Sequence, residues 1–302
     1  MVDTVRVDYF AQWRLHPPPG WMVNESQRTV TASEGEVIPK LGRMMTHEES
    51  GLRIGGDREY TRWMEVSLPR ILMGNNGLMI RTQEQLDQAI NKALETALSV
   101  AEPMFGISSR FTRLDLVGQF LIEPADMIAA HKETCHPRIR GGKSHYEGES
   151  LHFVGKERHC RIYDKMKESE HRPGHVTRVE WQLRSNAICR DFDRDQITLR
   201  TLTIEDCYGV YRRLCSEFVP ASLPVDSTLY DILAVAAREG TKLQGVAVFD
   251  FWGRGKHPKT VRRVRREVAK RRIETFKIDW HGLLPEEFSD FPMVDYHEPN
   301  PF

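Results

Sequence analysis

Tyr163 stands between two cations in the run Cys160-Arg161-Ile162-Tyr163-Asp164-Lys165. In an extended chain successive side chains point to opposite faces, so Arg161, Tyr163 and Lys165 share one side while Cys160 and Ile162 take the other. A phenol with an ordinary pKa of about 10 is a poor nucleophile at neutral pH, but fixed cations and a held phosphate favour the phenolate and its attack. The chemistry that suits such a group is substitution at phosphorus, with Tyr163, Lys165 and Arg161 as the reacting set. A strand tyrosine that merely packs is the plain alternative.

Two carboxylates occur in the same kind of setting. Asp115 lies in Thr112-Arg113-Leu114-Asp115-Leu116, and Glu180 lies in Arg178-Val179-Glu180-Trp181-Gln182-Leu183-Arg184. Each is central to a strand whose other face is apolar, an unfavourable place for a carboxylate unless its own face is solvated or functional. One reading is a cross-strand ion-pair ladder with Arg113, Arg178 and Arg184. The other is a hard-cation site for Mg²⁺ or Mn²⁺, with Glu65 of Trp63-Met64-Glu65 offering a third oxygen. His145, His152, His159, His171 and His175 lack the close spacing of a two-histidine metal site and read as phosphate contacts or surface residues. The five cysteines form no C-x-x-C pair, so reduced, buried thiols are expected.

The elements that must position these groups follow from periodicity. Val5 to Phe10 alternates as a first strand, and residues 28–66 read as an antiparallel meander with strands over Arg28 to Val37, Leu52 to Ile54 and Tyr60 to Val66. Thr82 and Gln85 stand in capping-box spacing, and Leu86, Ile90, Leu94 and Leu98 predict a helix whose apolar stripe packs on the sheet. A short helix opens at Pro124. His136 to His145 reads as a basic flexible loop carrying Arg138, Arg140 and Lys143. Leu151 to Val154 and Cys160 to Lys165 make a β-hairpin, the Glu180 strand follows, and Asp191 to Asp195 marks a boundary. Beyond it the pattern turns helical, over Ile204 to Phe218 and Ser227 to Glu239.

The chain of 302 residues is 40% hydrophobic and 28% charged, the composition of an ordinary soluble globular protein, and no apolar run reaches the roughly 20 residues of a membrane span. The start, Met1-Val2-Asp3-Thr4-Val5-Arg6, goes straight into a strand pattern, and a cytosolic protein is expected. The formal net charge is +0, yet from Arg254 to Lys277 eleven Lys/Arg face two acids. Local segregation of this kind points to an anionic partner. Within that stretch a helix opening at Pro258 carries Arg262, Arg263, Arg265 and Arg266, which are expected to contact DNA phosphates.

Taken in order, these segments resemble the rolling-circle replication initiators of filamentous phages and plasmids, over about residues 4–190. The likeness includes Ser67-Leu68-Pro69-Arg70-Ile71-Leu72-Met73-Gly74-Asn75-Asn76, the Asp115 strand, Leu151-His152-Phe153-Val154-Gly155-Lys156 leading into the Tyr163 strand, and the Glu180 strand. The resemblance implies an α+β fold, an antiparallel sheet with helices packed on one face. It implies a nicking domain at 1–192, followed at 193–302 by a helical, basic DNA-binding region. Tyr163 would nick one DNA strand at an origin and keep its 5′ phosphate, with a divalent metal (Mg²⁺ or Mn²⁺) on Asp115, Glu180 and Glu65. The implied partners are single-stranded or hairpin origin DNA, a host helicase and a second copy of the chain. Many relatives carry a second carboxylate just after the first, where this chain has Gly118-Gln119-Phe120. A DNA-binding regulator without catalysis and a metal-dependent nuclease using water are the rival readings.

Overall fold

The computed structural model describes residues 1–31, 37–75, 77–103, 110–132, 134–139, 143–146, 150–165, 176–220, 259, 262–263 and 280–285. The architecture is α+β, as expected, and a ten-stranded antiparallel sheet dominates it. From one edge to the other the strands are β10 (Lys143–Tyr146), β11 (Ser150–Val154), β12 (Arg158–Asp164), β13 (Thr177–Arg184), β8 (Phe111–Phe120), β1 (Val2–Asp8), β6 (Thr61–Ser67), β5 (Arg53–Asp57), β4 (Val37–His47) and β3 (Trp21–Thr31). Two small pairs lie outside it: β2 (Ala11–Trp13) with β7 (Ala101–Pro103), and β9 (Thr134–Cys135) with β14 (Val219–Pro220).

Alternation makes the central strands two-faced. Leu114, Leu116, Cys160, Ile162, Val179, Trp181 and Leu183 are all fully buried on one side. Helices cover that side. Helix α5 (Ile204–Ser216), capped by the Thr203 hydroxyl accepting from the Asp206 N–H at 3.1 Å, sets Tyr211 against Gly118. A Cβ at Gly118 would lie 2.4 Å from the Tyr211 hydroxyl, which donates to the Val179 carbonyl at 3.1 Å, so glycine is what lets the helix approach the sheet. Helix α3 (Pro124–Lys132), α4 (Asn186–Phe192) and the short α6 (Trp280–Leu283) complete this layer. Ile197, Leu202, Tyr211, Leu214 and Trp280 belong to the same hydrophobic core as the sheet, so the described chain on both sides of residue 192 shares one core.

Helix α1 (Leu68–Met73) ends on Gly74 in the left-handed region at φ 74°, and α2 (Gln83–Leu98) follows. The capping box read from sequence is present: Thr82 accepts from the Gln85 N–H at 3.1 Å and Gln85 Oε1 accepts from the Thr82 N–H at 3.4 Å. Leu86, Ala89, Ile90, Ala93 and Ala97 form the buried stripe. Among the described residues no helix is long and apolar enough to cross a membrane.

The meander differs from expectation. Where one strand was expected over Arg28 to Val37, two eleven-residue strands, β3 and β4, pair along their length. Met22 to Gln27 are all exposed and, among the described side chains of β4, Met45 alone is buried, so this hairpin impresses little alternation on the sequence. Part of the expected basic loop is likewise an edge strand, β10. The expected helix at Ser227 to Glu239 lies outside the described residues.

Candidate active site

Antiparallel register brings the chemical side chains of four strands onto the face opposite the helices. Across β11, β12, β13 and β8, His152, Arg161, Glu180 and Val117 form one row, and Ser150, Tyr163, Arg178 and Gln119 form the next. Within this grid the Tyr163 hydroxyl donates to Glu180 Oε2 at 3.0 Å. The Arg161 guanidinium pairs with Glu180 Oε1, and its central carbon lies 5.5 Å from the Tyr163 ring centroid. Lys165, one residue past the end of β12, places Nζ 6.0 Å from the same ring. The phenol between two cations is therefore real, and it is accompanied by a carboxylate that the sequence alone does not attach to it. Tyr163 is only 7% exposed.

The other carboxylates are engaged by arginines. Asp115 is gripped by Arg113, whose Nε lies 2.9 and 3.1 Å from the two carboxylate oxygens and whose Nη2 makes a further bond. Glu65 pairs with Arg53 and stands 3.9 Å from Arg6 and 3.8 Å from Arg113. Ion pairs are thus present, with Arg113 on Asp115 as expected, while Glu180 takes Arg161 and Glu65 takes Arg53. Arg178, fully buried, reaches Asp3 at 3.3 Å and the Gly77 carbonyl at 3.0 Å, while Arg184 donates to Gln182. Asp3 and the pairing of Arg161 with Glu180 escape sequence reasoning because both depend on strand order, not on spacing along the chain.

These donors do not fit the expected Mg²⁺ or Mn²⁺ site. A hard dication needs several free anionic oxygens. Here Asp115, Glu180 and Glu65 each already carry a guanidinium, and among the described residues no three His, Cys, Asp or Glu side chains gather into a set that could hold a metal ion.

Electrostatics separates the two central carboxylates. Burial pushes the Asp115 carboxyl up to about 7, and nearby Glu180 pushes the same way against the Arg113 fork. That fork also raises Arg113, and its two-oxygen grip is the geometry of an ionised carboxylate. Burial and Glu180 thus raise the proton affinity of Asp115, and the Arg113 fork opposes them. At Glu180 burial also pushes upward, but Arg161, Arg178 and the Tyr163 hydroxyl outweigh it and hold the group below the ordinary glutamate value. Glu180 is thus ionised at neutral pH. Its bond to Tyr163 is then a phenol donating to a carboxylate.

The residues expected to hold DNA are scattered. Arg138 is bound to Glu217 and, at 3.0 Å, to Asp191, which Arg158 also grips at 2.8 and 2.9 Å. This buried cluster, with His136 beside it, ties α3's exit to α4 and α5, and nothing in the residue spacing announces it. Lys143 lies in β10. Arg262 and Arg263 are helical and exposed, whereas Arg140, Arg265 and Arg266 lie outside the described residues. Four of the five cysteines, Cys160, Cys189, Cys207 and Cys215, are free thiols, as expected.

No protein-family model matches this sequence, and no curated protein matches it. Among solved structures, a rolling circle replication initiator protein from Geobacillus stearothermophilus superposes with a TM-score of 0.41 and 11% identity, covering 76% of this chain and 89% of that one.

Proposed function

We propose that this protein initiates rolling-circle DNA replication by nicking one strand through Tyr163. The observation that carries the reading is the Tyr163 hydroxyl donating to an ionised Glu180 at 3.0 Å, flanked by Arg161 and Lys165. In the step that follows, the phenol oxygen attacks a backbone phosphorus and its proton passes to Glu180 Oε2. The bond from phosphorus to the 3′ oxygen breaks, and that oxygen takes a proton from water. The products are a 5′ phosphotyrosine and a free 3′ hydroxyl able to prime synthesis. Arg161 and Lys165 stabilise the charge that develops on the phosphoryl oxygens. Because Arg161 lowers the basicity of Glu180, the carboxylate orients the phenol more than it drives ionisation. With Tyr163 so little exposed, the phosphate must displace what covers the ring. Region 193–302, through Arg262 and Arg263, is proposed to add phosphate contacts.

A second reading has an observation in its favour. Every carboxylate of the site is neutralised by an arginine, which suits a DNA-binding protein on this scaffold that performs no chemistry. The two part on one experiment, incubation of the full chain with labelled single-stranded DNA followed by denaturing electrophoresis. A covalent adduct that disappears in Tyr163→Phe, with DNA affinity kept within a few-fold, supports the initiator. An adduct that survives in that variant moves the nucleophile elsewhere, and no adduct in the parent selects the non-catalytic protein.

A further inference from the structure

A concavity opens on the same sheet face, away from Tyr163. It encloses about 410 Å³, within the roughly 300–1,000 Å³ of small-ligand sites, and it lies over β1, β6, β8 and the end of β13. Its walls carry Arg6, Arg62, Arg113 and Arg184 with Asp8 and Glu65, and of these cations Arg62 is already paired with Asp57 and Arg113 with Asp115. Trp63 lies flat against β5 because Gly55 has no side chain: a Cβ there would fall 2.3 Å from the indole. The Arg6 guanidinium sits 4.0 Å from the indole centroid and is 37% exposed. Glu65, 3.9 Å from Arg6, helps to hold that plane. Arg184 is exposed and donates to the neutral amide of Gln182, and among the described residues no carboxylate forms an ion pair with it.

We propose that this cavity binds one unpaired nucleotide of a single DNA strand, its base stacked on the Arg6 plane and its phosphate on Arg184. The proposal rests on the initiator reading, of which it defines part of the substrate path. A flat guanidinium backed by an indole is a stacking platform that accepts any base face. The platform lines the concavity, and a base must leave its duplex partner to lay its face on it. Arg184 and Arg178, the register partner of Tyr163, lie six residues apart on β13, about 20 Å at 3.3 Å per residue. A strand bound here therefore continues to the phenol without leaving the sheet face.

The test measures binding of the full chain to a labelled oligothymidylate long enough to cross that distance, over a range of salt, by fluorescence anisotropy. Arg6→Lys keeps the charge and loses the plane. It should weaken binding about 5-fold or more with an unchanged salt slope, because base stacking contributes on the order of 1–3 kcal/mol. Arg184→Gln should flatten the slope of log affinity against log salt by about 0.7. The proposal is overturned by parental affinity in Arg6→Lys, by a salt slope unmoved in Arg184→Gln, by equal affinity for the same sequence as a duplex, or by free thymidine monophosphate competing as well as the oligonucleotide does. Its failure is separable from that of the initiator reading. An adduct at Tyr163 with full affinity in Arg6→Lys removes the cavity and leaves the chemistry, whereas weakened binding in Arg6→Lys without any adduct in the parent removes the chemistry and leaves the cavity.

Discussion

Acidification to pH 5 should destabilise this protein through His136. The imidazole is buried between Trp181 and Phe218, with ring centroids 4.6 and 5.1 Å away. Its Nδ1 accepts from the Arg138 backbone N–H at 3.3 Å and its Nε2 donates to the Leu214 carbonyl at 2.9 Å, which fixes the neutral Nε2-protonated tautomer. A second proton would have to sit on Nδ1, pointing at an N–H donor. Burial lowers the pKa to about 4, Arg138 and Arg158 add to the effect, and the Leu214 bond and Asp191 oppose it. Since the folded value lies below the unfolded one of about 6.5, the unfolded chain binds the extra proton. The contribution is fully present above about pH 6.5 and is lost as pH falls toward 4. Linkage over those two values gives a loss of about 2 kcal/mol between pH 7 and pH 5. Urea unfolding at the two pH values, followed by tryptophan fluorescence, measures the change. In His136→Gln, whose amide can still donate to Leu214, the drop should shrink by about that amount, whatever constant offset the lost ring packing adds. His159 and His152, also lowered mainly by burial, titrate equally in both proteins and cancel. Equal pH dependence in the parent and His136→Gln would refute the assignment.

Two further outcomes test the packing around the site. Glu180→Gln and Arg161→Gln should each destabilise, with a coupling of roughly 1–3 kcal/mol that brings the double variant back toward the better single one in urea unfolding; strictly additive losses would dissolve the pair. Gly118→Ala, whose new methyl meets the Tyr211 hydroxyl at 2.4 Å, should cost roughly 1–3 kcal/mol by overpacking and recover in part with Tyr211→Phe, and an unperturbed melting curve would deny the close approach.

The strands over 111–120, 150–164 and 177–184, the helices at 83–98 and 204–216, and the sharing of one face by Arg161 and Tyr163 were legible in the residues. Each of these elements has one side in the core, and burial writes a period of two or of 3.6 into the sequence. The long β3–β4 hairpin was not legible, because an exposed run from Met22 to Gln27 and a single buried residue, Met45, among the described side chains of β4 leave little such record. Residue types also announced that Asp115 and Glu180 needed an explanation. Which explanation holds was decided only by strand order. Placing β13 between β12 and β8 sets Glu180 beside Arg161 and Tyr163, and placing β1 between β8 and β6 carries Asp3 to Arg178 and Arg6 to the Trp63 indole. Periodicity along a chain fixes which way a side chain points. Which charge it meets is settled between strands that lie up to 175 positions apart, where no local pattern carries the information.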